Sequence, residues 1–412
     1  MSKRRDLKFL WMSKSPHPNS GYAVETRDLM YRFLQDGWPC GVIGQFGVQG
    51  YNVHLHGEDL IDERFKGLSL KVYPQIGDAY GSDAMLPHAQ NFGAKVVFVM
   101  LDLFSIGTQY LDQMTKAGVN FIPYLPIDQE PINPMILNNL RYAYKIITFS
   151  KFGQKALEKE GFASKLILEG IDPEIFKPMD KKKLRDKYKF PQDAFLFGMV
   201  AANKENIPRK SFQEVLEAFA KFHQNHANAA IFFHTQQVAP GGFPILDYAR
   251  YLGVAHRCYF PQQYHASFGS DSKIIAEEIN CFDVYMNPSM TEGFGLGMVE
   301  SQACGVPPIG NRCHSMPELV VEGKTGWICE TGKSWWRNLM GYVFAPNVDS
   351  LVEKMEEAYV ALTNDKKGEI ATAARQNVID NYHIDTLVKN EWLPFLEELQ
   401  VELLGEETKM DT

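Results

Sequence analysis

Seven residues separate Glu292 from Glu300, and Gly293, Gly295 and Gly297 lie between them. The apolar run 284–286 just ahead reads as a buried strand, and a short helical pattern follows, closed by Gly305. Strand, glycine loop and helix together aim backbone N–H groups and a positive helix end at an anion. Amides from Gly293, Phe294, Gly295 and Leu296 suit a diphosphate. The two flanking carboxylates accept hydrogen bonds from sugar and ribose hydroxyls. Such a pairing of groups suits a nucleotide sugar.

Cations form a second candidate cluster. Lys204, Arg209 and Lys210 come directly after a predicted strand at 194–201. Fixed positive charge there stabilises a departing diphosphate. Asp102 and Asp128 close the predicted strands 96–101 and 121–125. Polar residues just past strand ends are where open α/β sheets bind ligands; each Asp binds a substrate hydroxyl or caps a helix. Trp335, Trp336 and Arg337 are contiguous, a set that stacks on sugars or bases, or packs against its own domain. His54 and His56 alternate on a possible strand without a nearby third ligand. With no Asp-x-Asp motif either, no metal site is expected.

The run Pro288-Ser289-x-x-Glu292-Gly293-Phe294-Gly295-Leu296, with Glu300 and then Gly305-Val306-Pro307, resembles the donor motif of retaining glycosyltransferases of the family-4, group 1 type. The resemblance implies a GT-B fold, α/β in class, with two Rossmann-like doubly wound domains facing a central cleft. It implies that Glu292 contacts the donor sugar and Glu300 the ribose. The family places an Arg and a Lys six residues apart after the first strand of the second domain; this chain has Lys204 and Lys210, with Arg209 beside them. Lys for Arg exchanges a bidentate fork for a point charge. Ser211 stands where a glycine commonly follows. Gly21, in the polar loop 13–21, matches a family glycine that lets backbone approach the donor. A first-domain His of the family has no clear counterpart here.

The implied reaction is metal-independent transfer of a hexose from a nucleoside diphosphate sugar, UDP before GDP, to a hydroxyl acceptor. No cofactor beyond the donor is expected. Glu292, Lys210, Lys204 and Asp128 are the candidate catalytic residues. Gly21, Arg209, Gly293, Phe294, Gly295, Leu296 and Glu300 are the donor-binding candidates. Asp102, Trp335 and Trp336 are the acceptor-side candidates. A sugar-nucleotide epimerase of the same fold and an inactive nucleotide-sugar-binding protein are the alternatives. A modified DNA base is a minority acceptor.

The elements that must position these residues alternate short β-rich runs with longer helical ones, the pattern of parallel sheets. Gly170-Ile171-Asp172 and Phe176-Lys177-Pro178 resemble the family's domain boundary. The expected organisation is a first domain at 1–178, a linker at 179–193 and a nucleotide-sugar domain at 194–382. The amphipathic helix within 383–412 is expected to pack back on the first domain. At 412 residues the chain has room for two cores. A net charge of −8 argues against non-specific nucleic-acid binding, leaving nucleic acid a possible but unfavoured partner. No 18-residue apolar stretch and no secretory leader are evident, so a cytoplasmic location without a transmembrane segment is expected. The cysteines, Cys40, Cys258, Cys281, Cys304, Cys313 and Cys329, form no C-x-x-C pair and are read as reduced.

Overall fold

The computed structural model describes residues 4–17, 20–45, 50, 52–57, 62–78, 80–204, 209–337, 340–364 and 366–405. Pro18 of the first polar loop and residues 205–208 of the cationic stretch lie outside them. The chain divides into two compact units. One comprises 1–127, 132–170 and 384–412; the other comprises 128–131 and 171–383.

The first unit is built on eight strands: β1 (Phe9–Lys14), β2 (Cys40–Gln45), β3 (Val53–His56), β4 (Ser69–Pro74), β5 (Val96–Val99), β6 (Asn120–Leu125), β7 (Ile147–Thr148) and β8 (Lys165–Leu166). Their order is β3-β4-β2-β1-β5-β6-β7-β8. Among the described residues of this sheet, only the β3–β4 pairing is antiparallel. The order reverses between β1 and β5, so the loops leaving those two strands open a crevice at the carboxyl edge. β5 is apolar at every position because both faces are covered, as a central parallel strand requires. His54 and His56 are both exposed on the edge strand β3, with Leu55 buried between them.

The residues from Ile384 onward group with this first unit. Trp392 is the anchor: its ring lies 5.5 Å from Trp11 and 5.1 Å from Tyr124, both edge-on. Gln400 Oε1 accepts the backbone N–H groups of Asp6 and Leu7 at 2.7 and 3.1 Å. A buried aromatic cluster of this kind contributes both area burial and ring-pair geometry.

The second unit has six parallel strands: β9 (Phe195–Val200), β10 (Ala229–His234), β11 (Cys258–Tyr259), β12 (Val284–Asn287), β13 (Pro308–Asn311) and β14 (Trp327–Cys329). Their order is β11-β10-β9-β12-β13-β14, with the reversal between β9 and β12. A separate antiparallel hairpin follows, β15 (Thr331–Trp336) with β16 (Gly341–Pro346). The core is rich in rings because Phe195, Phe197, Phe219, Phe222 and Phe233 point inward from strand and helix alike.

The unit boundary falls at Gly170/Ile171, eight residues before Pro178. Residues 179–193, expected to be a linker, belong to the second unit. They carry a helix, Lys181–Tyr188, capped by the Asp180 side chain on Lys183 N–H. Arg185 on that helix is buried. Its guanidinium donates to Asp283 Oδ2 at 2.8 Å, Cys281 O at 2.9 Å and Ala194 O at 2.9 Å. The run of lysines hid this: the high charge of 181–189 masks one buried arginine that pins the helix.

Candidate functional site

The two sequence clusters meet at the reversal of the second sheet. Residues 201–204 follow β9 and residues 288–295 follow β12. These strands are parallel neighbours, so both loops emerge from the same carboxyl edge. Lys210 Nζ is ion-paired with Glu292 Oε1, and Arg209 Nη1 lies 3.7 Å from Glu292 Oε2. Arg209 also donates to Thr291 O at 3.2 Å, and its own carbonyl accepts Met290 N–H at 2.7 Å. Burial works against ionisation of Glu292. Lys210 and then Arg209 outweigh it and hold the carboxyl below its ordinary pKa. Two cations thus share one carboxylate at the base of the loop.

The glycine loop is shaped by two constraints. Gly295 has φ of 114°, a conformation that side chains rarely adopt, and it starts the helix Leu296–Ala303. A Cβ on Gly297 would sit 2.2 Å from Tyr285 Oη, so the helix packs on β12 only because that residue is glycine. Met298 N–H already bonds Gly295 O at 2.9 Å. Leu296 and Gly297 open the helix, where main-chain N–H groups have no intrahelical acceptor. Phe294 is buried against Tyr382 at a ring distance of 5.8 Å, so its side chain is structural. Glu300, half-buried on the same helix, lies beside Tyr285. That hydroxyl is pushed up in pKa chiefly by burial and next by the Glu300 charge.

Asp128 belongs to the same cluster, because 128–131 groups with the second unit. Its carbonyl accepts the Thr291 hydroxyl. The Cys313 thiol, raised in pKa chiefly by burial, also feels the charges of Glu292, Asp128 and Lys210. Lys204 is exposed in the β9 loop. In the first unit, Gly21 opens the helix Gly21–Gln35 and Asp102 follows β5, so both sit at that sheet's reversal. The Tyr22 hydroxyl donates to Asp102 Oδ1 at 3.3 Å.

Trp335 and Trp336 lie on the β15–β16 hairpin. Trp335 is 50% exposed and meets Tyr342 edge-on at 5.0 Å. Lys333 Nζ stands 3.8 Å from the Tyr342 ring centre, and Trp336 is half-buried. The hairpin is tied to the site by backbone: Phe344 N–H donates to Met290 O at 2.9 Å and Tyr342 N–H to Glu130 O at 2.9 Å.

For the stretch 312–318 after β13 the sequence offers Glu318 as a turn-stabilising residue and gives no link to the glycine loop. Ser315 Oγ bonds Phe294 O at 2.8 Å and Glu292 O at 3.0 Å, and Asn311 Nδ2 donates to Ser289 O at 2.9 Å. His314 lies between them. The available signal was position: β13 is β12's parallel neighbour, so its carboxyl end also points at the site.

The sequence profile of the family described as "Glycosyl transferases group 1" matches residues 180–360. The match covers less than half of the chain. The group 1 stretch contains Lys204, Arg209, Lys210, Glu292, Glu300 and His314, the second unit's cluster apart from Asp128. A similar relative is the N-acetyl-alpha-D-glucosaminyl L-malate synthase of Bacillus anthracis, 28% identical over 162 residues, 39% of each chain. Another is a GDP-mannose-dependent alpha-(1-6)-phosphatidylinositol monomannoside mannosyltransferase of Mycobacterium tuberculosis, 23% identical over 270 residues, 62% of this chain and 63% of that one. In both cases this chain spans less than two thirds of the relative's own length. Among solved structures, sucrose-phosphate synthase of Thermosynechococcus elongatus superposes with a TM-score of 0.76 at 13% identity, over 96% of this chain and 100% of that one. Anabaena HepE in complex with UDP gives 0.67 at 17% identity, over 95% and 100%. The fold is therefore GT-B, with two Rossmann-like units.

Proposed function

We propose that the protein is a retaining glycosyltransferase that moves a hexose from a nucleoside diphosphate sugar to a hydroxyl acceptor. The observation that carries this reading is the Lys210–Arg209–Glu292 cluster beside a helix N-terminus at the sheet reversal. In the free protein Lys210 and Glu292 hold each other. A donor separates their tasks. Its diphosphate takes Lys210 and Arg209 together with the amides of Leu296 and Gly297. Its sugar hydroxyls take Glu292, and its ribose takes Glu300. Lys204 adds positive charge from the exposed side of the loop.

As the bond from the anomeric carbon to the phosphate oxygen breaks, negative charge grows on the diphosphate, where these cations stabilise it most. The acceptor oxygen bonds to the same face of the sugar, and its proton passes to the leaving phosphate oxygen. Lysine, arginine and helix dipole supply the charge a divalent ion would otherwise provide, so metal-independent transfer is the reading they support. UDP is favoured over GDP as the donor nucleotide. Asp128, whose backbone carbonyl accepts the Thr291 hydroxyl, is read as the residue that positions a hydroxyl. Trp335 on the hairpin offers a stacking face, and Asp102 with Tyr22 offers a hydroxyl partner within the first unit.

The test is incubation with UDP- and GDP-hexoses and a panel of glycoside, lipid-carrier and hydroxymethylated-base acceptors, followed by nucleotide release and NMR of the product. Acceptor-dependent release with retained anomeric configuration supports the reading. Interconversion of the donor alone points to the epimerase, and binding without either reaction points to an inactive receptor.

A further inference from the structure

His314 has φ of 47°, the left-handed region, although a side chain there costs about 1–2 kcal/mol relative to glycine. Residues on both sides of it are clamped to the glycine loop. Cys313 Sγ reaches Ser289 O at 3.4 Å, and Ser315 Oγ bonds the carbonyls of Glu292 and Phe294. The turn therefore cannot shift independently of Glu292. Its imidazole meets the Phe344 ring edge-on at 5.1 Å, at 88°. Phe344 is itself held to the same loop through Met290 O. Charges that act on the ring include Glu130, from 128–131, and next Glu292, from the glycine loop. Burial outweighs both and pushes its pKa down to about 4, so the ring is neutral near pH 7. A neutral imidazole donates one hydrogen bond and accepts another, the pairing that a sugar hydroxyl satisfies.

We infer that His314 is a donor-sugar contact: its imidazole hydrogen-bonds a hydroxyl of the hexose that Glu292 engages, and the left-handed backbone is retained to aim it there. This rests on the donor-site reading above. Strain kept at a binding turn separates function from stability in a way a packing role does not.

The experiment compares wild type, His314→Gly and His314→Asn for thermal midpoint and for donor KM and kcat in the transfer assay. Glycine removes both ring and strain; asparagine tolerates the left-handed region and still offers a donor and an acceptor. The expected result for His314→Gly is an unchanged or higher midpoint with kcat/KM down about 10-fold or more. His314→Asn is expected to recover most of that loss. Equal kcat/KM in wild type and His314→Gly overturns the inference while leaving the donor site standing. A midpoint that falls in parallel with activity assigns His314 to packing and also overturns it. A wild type that transfers from no nucleotide sugar overturns the donor-site reading, and this inference with it.

Discussion

Glu292 carries two jobs that a single carboxylate can combine. It pairs with Lys210 in the free protein and is read here as the partner of the donor's hydroxyls. Glu292→Gln keeps the shape and removes the charge, so kcat is expected to fall about 100-fold or more while the far-ultraviolet spectrum is unchanged. Loss of less than about 3-fold in a transfer assay would remove Glu292 from the machinery. Because the Glu292 pKa lies below its ordinary 4.5, the stability it contributes is present above that pH and lost as pH falls through the depressed value. Ser211 makes a cleaner stability test. It has φ of 60° where the family commonly has glycine, and its hydroxyl is buried with no hydrogen-bond partner among the described residues. Ser211→Gly relieves about 1–2 kcal/mol of strain against an entropic cost of about 0.5–1 kcal/mol. The expected outcome is a net gain of about 0.5–1 kcal/mol, read as a thermal midpoint raised by about 2 °C. The sequence alone exposed the departure from glycine at Ser211. It did not expose the same geometry at His314, because a histidine three residues past a strand carries no periodic or turn signal.

At the scale of elements, the strand–glycine loop–helix reading of 284–305 was legible because each part has its own physical signature: an apolar run, glycines, and a glycine stop. Strand β9 and the helix Phe212–Asn225 were legible for the same reason, through ring-rich periodicity. The stretch 179–189 read as a linker or a solvated helix; the helix Lys181–Tyr188 is there, but its burial through the single anchor Arg185 was not legible behind the lysines. That anchor gives a prediction. Asp283 is buried, and its pKa is depressed by Lys181, Arg185 and Lys367 in spite of strong desolvation. Asp283→Ala leaves Arg185 buried and unpaired, and is expected to cost about 3–5 kcal/mol in urea unfolding. A loss below about 1 kcal/mol would show that the helix is held by its apolar contacts instead. The sign with pH follows from the depressed pKa. Asp283 stabilises fully above the ordinary 3.8 and progressively less as pH falls below it.

At the scale of the molecule, two units each carry a mainly parallel sheet whose strand order turns back near its middle, between β1 and β5 in one and between β9 and β12 in the other, and each turning point gathers polar residues singled out in the sequence. Gly21 and Asp102 gather at one, and Lys210 and Glu292 at the other. The assignment of the short segment 128–131 to the second unit was invisible in the sequence, because it depends on hydrogen bonds to Thr291 and Tyr342, over 160 residues away. That segment brings Asp128 into the Glu292 cluster. The measurement that bears most directly on the whole account is calorimetric titration of UDP and GDP into wild type and into Lys210→Ala. The account predicts saturable binding of at least one nucleotide to wild type, weakened about 10-fold or more by Lys210→Ala. Binding of neither nucleotide, or equal affinity in the two proteins, would contradict it.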